Sequence, residues 1–264
     1  MLPSPLFRDR EAVGHELALA VFEEFTRLKT AATELDWPTL ATAQPIVYGL
    51  PRGGIPVAAA IAEKLNCPLD VVIAKKITRP EDPELAIGAV AATGEILWTQ
   101  PRPWHLHRTK IYQAALQATL EKAQLQLTQF GPIRPQVEPK GTIAILVDDG
   151  IATGMTIAVA TQALRQQQPA QIWICAPVAP LELVNWLHQW CDRLILLATP
   201  AEFSSVSRFY QNFPQVELDE AIACLQNQSH RKLSAQMNTY PPSPPMLEEA
   251  ERKFSSALEG EREQ

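Results

Sequence analysis

Asp148 and Asp149 stand side by side after the apolar run Ile143–Val147 and before Gly150-Ile151-Ala152-Thr153-Gly154-Met155-Thr156. Ionised carboxylates only accept hydrogen bonds, so the pair suits hydroxyl groups such as those of a ribose. The segment that follows suits the opposite chemistry. The apolar run is rich enough in β-branched residues for a buried strand, and residues 157–168 carry a helical pattern. The intervening turn therefore lies where ligands bind in an open α/β sheet, beyond the carboxyl ends of the strands. Backbone N–H groups and the positive end of a helix dipole converge there. Thr153 and Thr156 add hydroxyl donors, and Gly154 permits close backbone approach. This half of the site wants a phosphate. A sugar phosphate satisfies both halves, whereas helix capping by Asp149 and Thr153 explains only one acid and one hydroxyl.

A second strand-to-helix turn, Gly49-Leu50-Pro51-Arg52-Gly53-Gly54, has the same physics with a cation added. The Arg52 guanidinium can engage phosphate oxygens two at a time. A third stretch, Ala74-Lys75-Lys76-Ile77-Thr78-Arg79-Pro80, ends a strand in two lysines and enters a polar, proline-rich connection. From its residues alone that stretch reads as a solvated hairpin loop.

The string Val147-Asp148-Asp149-Gly150-Ile151-Ala152-Thr153-Gly154-Met155-Thr156 resembles the phosphoribosyl pyrophosphate (PRPP) motif of type I phosphoribosyltransferases. The resemblance implies a magnesium-dependent enzyme that transfers the phosphoribosyl group of PRPP to a nitrogenous acceptor, a nucleobase or related heterocycle, and releases pyrophosphate. Asp148 and Asp149 would support the sugar and hold Mg2+ indirectly, through PRPP oxygens and water. Ala152, Thr153, Gly154, Met155 and Thr156 would cradle the 5′-phosphate. Pro51, Arg52, Gly53 and Gly54 would form the pyrophosphate loop. Lys76, with Arg79 as a weaker candidate, would reach the pyrophosphate from a closing loop. The 6-oxopurine salvage enzymes carry an Asp facing the purine N7 where this chain has Ala152, so that device is missing here. Phe203 or Tyr210, in a hood after the last strand, would stack on a planar acceptor; closure of the core edge is the alternative role for both.

The likeness extends to a bacterial subgroup whose acceptor is not settled. It is carried by Phe7-Arg8-Asp9-Arg10, Leu50-Pro51-Arg52-Gly53-Gly54-Ile55-Pro56-Val57, Pro83-Glu84-Leu85-Ala86-Ile87-Gly88-Ala89 and Arg208-Phe209-Tyr210-Gln211-Asn212-Phe213, over about residues 6–226. It lapses over residues 93–140, where the helix is rich in Gln, Ala and Leu.

Alternating strand and helix patterns must position these groups. Helices are expected over residues 9–29, 56–65, 106–130, 157–168, 181–190 and 219–226. Strands are expected over residues 45–50, 70–76, 85–92, 95–98, Ile143–Val147, Gln171–Val178 and Arg193–Ala198, with 95–98 the far arm of a hairpin. This pattern means an α/β fold with a doubly wound, mostly parallel sheet, here with a small hood. Residues 1–228 read as the globular domain. Residues 229–264, with Tyr-Pro-Pro-Ser-Pro-Pro and mixed charges, read as a disordered tail open to an unknown protein partner.

Composition narrows the classes. A net charge of −6 argues against a general nucleic-acid binder. No apolar run is long enough to span a membrane, and no secretory signal opens the chain, so a cytoplasmic protein is expected. Cys67, Cys175, Cys191 and Cys224 are widely spaced and read as reduced core thiols. The histidines fit no metal spacing. A homodimer is a candidate assembly. A non-catalytic PRPP-binding regulator stays open as the other function. A pyrophosphokinase is the remaining alternative; it would need an ATP site, for which no Walker A pattern or second nucleotide motif appears.

Overall fold

Odd-numbered residues of Ile143–Val147 face one layer of the protein and even-numbered residues the other, as the two-residue period of a strand requires. This strand, β6, is the centre of a five-stranded parallel sheet. With β1 (Pro45–Gly49), β2 (Leu69–Val71), β7 (Gln171–Val178) and β8 (Arg193–Ala198), the order is β2-β1-β6-β7-β8. The computed structural model describes residues 5–79, 82–99 and 110–238, with side chains undescribed at 83–84 and 229–238.

On one face, Val47, Ile143, Ile145, Val147 and Trp173 pack against α1 (Arg10–Glu34), α3 (Gly54–Leu65) and the start of α7 (Leu218–Asn238) through Leu17, Val21, Ile55, Ile61 and Leu225. On the other, Ile46, Tyr48, Leu146 and Ile174 meet α5 (Met155–Arg165) through Ile157, Ala160 and Leu164. Burial on both faces explains why β6 is apolar throughout instead of alternating. A short helix, α2 (Pro38–Thr42), links α1 to β1, and α6 (Val184–Leu187) lies between β7 and β8.

The expected strand over residues 70–76 is two strands in different sheets. β2 ends at Val71, and β3 (Ala74–Arg79) begins an antiparallel sheet with β4 (Asp82–Ala91) and β5 (Ile96–Trp98). Both halves carry β-branched residues, Val71 in one and Ile77 and Thr78 in the other, so strand propensity cannot tell which partner each takes. Ile77 pairs with Gly88 while Thr78 pairs with Ala86, leaving Ile87 as the extra residue of a bulge. Ile87 and Val90 then face α4 (Lys110–Phe130), and Ala89 and Ala91 face α5. The small sheet thereby holds Lys76 of β3 beside the first turn of α5, while Lys75 faces α4.

Several helix ends differ from expectation. α1 runs to Glu34 and α5 begins at Met155 and stops at Arg165, with Gln168 in the left-handed region beyond it. The expected start of α4 at 106 lies outside the described residues. α7 continues past 226 through residues 229–238, because nothing in its early tail sequence breaks a helix before Pro241. The disorder expected further on, at residues 239–264, falls outside the described residues. The chain divides into compact units Met1–Ser229 and His230–Gln264.

Candidate active site

β6 delivers its two acids to the carboxyl end of the sheet, with β1 on one side and β7 on the other. Asp149 N donates to Asp148 Oδ1 at 2.9 Å, and Ile151 N donates to Val178 O at 2.8 Å, which fastens the loop over the end of β7. Gly154 caps α5 in the left-handed region at φ +73°, and a Cβ there would strike the Trp186 ring. Glycine is required twice over at this position. The first-turn N–H groups of α5 are left for a ligand. No hydrogen bond occupies the Thr153 or Thr156 hydroxyls among the described residues.

Asp148, Thr153, Gly154 and Thr156 line one cavity of about 210 Å3, and Lys76 closes it from β3. Ala152 and Val206 of the hood complete its wall. Residues far apart in sequence thus bring a carboxyl, hydroxyls, an ammonium and a helix N-terminus to one opening. Burial, and then the charge of Asp149, push the Asp148 carboxyl well above the usual carboxylate range, while Arg10 opposes the shift.

Asp149 points elsewhere. Its Oδ2 accepts from Arg10 Nε at 2.7 Å, with both side chains largely buried. Its carboxylate also fills the space a Cβ on Gly53 would need, so the Gly53 turn lies directly against it. Tyr210 Oη donates to the Asp149 carbonyl at 2.6 Å. The Tyr210 ring is buried between Phe7 and Phe213, at centroid distances of 5.5 and 4.7 Å. It braces the acid and presents no open face for stacking. Phe203 lies half-buried on Phe209, 5.2 Å away.

In the turn before α3, the Pro51–Arg52 peptide is cis, and Arg52 Nη1 lies 3.4 Å from Glu217 Oε2. Gly54 is pressed to the end of β6, where a Cβ would come within 2.6 Å of the Val147 carbonyl. Lys75 and Lys76 are adjacent in β3 and so point to opposite sides. Burial, then Arg52 and Lys122, lower the pKa of Lys75, while Lys76 is exposed at the cavity. Met155 is buried against the small sheet with Ala89 and Ala91, leaving only its backbone for a ligand. Arg79 has a buried Nε without a hydrogen-bond partner among the described residues.

Residues 27–195 match the family model of the phosphoribosyl transferase domain. The chain belongs to the phosphoribosyltransferase family. It is 34% identical over 230 residues to "Putative phosphoribosyl transferase Rv0571c" of Mycobacterium tuberculosis H37Rv, covering 86% of this chain and 47% of that protein. The counterpart in strain CDC 1551 matches equally. The chain therefore spans about half the length of the curated relatives it matches. The solved structure of TT1426 from Thermus thermophilus is 30% identical with a TM-score of 0.64, covering 84% of this chain and 98% of that one.

The phosphoribosyltransferase motif is legible in the sequence, but the roles of Arg10, Trp186, Val206 and Glu217 are not. For Arg10 a signal exists. It is the first helical residue of α1, where the helix dipole disfavours a cation, so something other than the helix holds it there. No group of three or more His, Cys, Asp or Glu among the described residues is arranged for a metal. No helix among them is long and apolar enough to cross a membrane.

Proposed function

We propose that this chain binds PRPP together with Mg2+ and transfers the phosphoribosyl group to a nitrogen of a nucleobase or related heterocycle, releasing pyrophosphate. The observation that carries this reading is the shared cavity of Asp148, Lys76 and the Thr153–Thr156 turn at the start of α5. The 5′-phosphate fits the helix N-terminus with its two hydroxyl donors. The ribose hydroxyls fit the acids. Pyrophosphate fits the space toward Arg52 and Lys76, where two cations offset the charge that develops as it leaves.

In the reaction the bond from ribose C1 to the pyrophosphate oxygen breaks and a bond from C1 to the acceptor nitrogen forms. The sugar gains cationic character between the two events, and that positive charge favours the ionised form of Asp148, which burial and Asp149 otherwise disfavour, so that the carboxylate stabilises it. Two carboxyls without a third partner fit an ion carried largely by PRPP oxygens and water, since Mg2+ dehydrates reluctantly. Such an ion would neutralise pyrophosphate charge, with Asp148 and Asp149 accepting from its water shell. Ala152 supplies no acid to an acceptor, so acceptor recognition falls to the hood around Phe203 and Val206.

The test is a screen of nucleobases and small amines for pyrophosphate release from PRPP, with and without Mg2+, beside calorimetry of PRPP alone. Turnover with one acceptor that Asp148→Asn abolishes is the expected result. Tight PRPP binding without turnover on any acceptor would instead favour a PRPP-responsive regulator. Absence of PRPP binding by folded protein would reject both.

A further inference from the structure

Arg10 lies before the stretch matched by the family model, residues 27–195, yet its side chain reaches the motif acid 139 positions away. Three contacts hold it. Nε donates to Asp149 Oδ2 at 2.7 Å, Nη1 donates to the Pro214 carbonyl at 2.6 Å, and Cζ sits 3.7 Å from the centroid of the Phe213 ring. The backbone around it is zipped to the hood. Phe7 N donates to Phe209 O at 2.9 Å, Gln211 N to Phe7 O at 2.8 Å and Asn212 N to Arg8 O at 2.9 Å. Asp9 caps α1 by accepting from Ala12 N at 2.8 Å, which sets where Arg10 leaves the helix.

We propose that Arg10 is a positioning residue for ribose recognition, holding the Asp149 carboxylate against the Gly53 turn and locking both to the hood. The inference rests on the PRPP-binding reading above. A guanidinium suits the task because its fixed fork can serve a carboxylate and a carbonyl at once while its plane stacks on an aromatic ring. With Asp149 held, the spacing between the ribose-binding acids and the pyrophosphate loop is set before ligand arrives. The hood, where an acceptor would sit, is tied to the same residue: Phe213 and Pro214 hold Arg10 on the carboxylate, and the Tyr210 hydroxyl bonds the Asp149 backbone carbonyl. A ligand that engages Asp149 then meets a carboxylate of settled orientation and does not have to order it.

The experiment measures affinities of full-length wild type, Arg10→Lys and Arg10→Gln for PRPP, ribose 5-phosphate and inorganic pyrophosphate, each with Mg2+, alongside thermal unfolding. Arg10→Gln should weaken PRPP and ribose 5-phosphate about tenfold or more, as for loss of a charge-assisted bond, while inorganic pyrophosphate stays within about twofold. Arg10→Lys, which keeps the charge but loses the fork, should restore part of the loss. Should Arg10→Gln fail to fold, the same contrast is read on Arg10→Lys. Equal losses for all three ligands would reduce Arg10 to a support of the fold and overturn the proposal. Unchanged ribose 5-phosphate affinity in a folded variant would overturn it too. Wild type that binds none of the three ligands would instead reject the PRPP reading itself.

Discussion

The two strand-to-helix loops at the sheet's carboxyl end are built alike and left in different states. The turn before α5 is open: no hydrogen bond among the described residues occupies its hydroxyls, and its shape is set from behind by Trp186 against Gly154. The turn before α3 is occupied by the protein's own charges. Arg52 meets Glu217, and Gly53 lies under a carboxylate that Arg10 holds. On the proposed reading, one loop offers free donors to an anion, and in the other an arriving anion must compete.

The magnitudes separate the two competitions. Arg52 and Glu217 are 3.4 Å apart with side chains 32% and 68% exposed. Such a pair is worth about 0–1 kcal/mol, which a pyrophosphate easily displaces. Arg10 and Asp149 are 2.7 Å apart and 10% and 14% exposed. Breaking a buried pair of that kind by losing one partner costs about 3–5 kcal/mol. Ligand binding should therefore release Arg52 from Glu217 and leave Arg10 on Asp149.

Asp149→Asn should give the largest effect, lowering unfolding free energy in urea by about 3 kcal/mol, because Arg10 is left buried without its counter-charge. The sequence alone gives no reason to expect a cost to the fold, since it does not show Arg10 beside the acid. A stability loss below about 1 kcal/mol would show that the pair is no lock. Arg52→Ala comes next, weakening PRPP by roughly ten- to hundred-fold while ribose 5-phosphate changes little. Equal loss for both ligands in calorimetry would erase the division between the two loops.

Asp148→Asn sharpens the contrast between the neighbouring acids. The folded-state pKa of Asp148 is raised from an ordinary value of 3.8 by burial and by Asp149. A raised carboxyl adds stability below its unfolded value and loses it as pH rises through its folded value. The ligand-free Asp148→Asn protein should therefore lose less stability between acid and neutral pH than wild type, while its PRPP affinity falls. A stability–pH curve parallel to that of wild type would refute the assignment. Glu217→Gln should have the smallest effect, under about 1 kcal/mol, and in the direction of tighter PRPP binding. Weaker binding would mean that Glu217 positions Arg52 for the ligand instead of competing for it.

Much of this was readable because it is local. β6, β7 and β8 occupy the spans their apolar runs suggest; β6 and β7, buried on both faces, advertise themselves continuously, and β8, half-buried at the sheet edge, still carries an unbroken apolar run from Leu194 to Ala198. The acids, Thr-Gly-x-Thr and Pro-Arg-Gly-Gly are contiguous, so their placement at strand-to-helix turns follows from short-range pattern. Three things do not follow from short-range pattern. Strand propensity carries no information about pairing partner, so the split of residues 69–79 between two sheets needed the fold. Two adjacent aspartates look equivalent in a string, yet one lines the cavity and the other pairs with an arginine 139 residues distant. Tyr210 looks like a stacking surface until its hydroxyl is found on the Asp149 carbonyl. Chemical type and local conformation are properties of neighbours along the chain; orientation and charge partner depend on burial and long-range packing, and only the tertiary structure decided them.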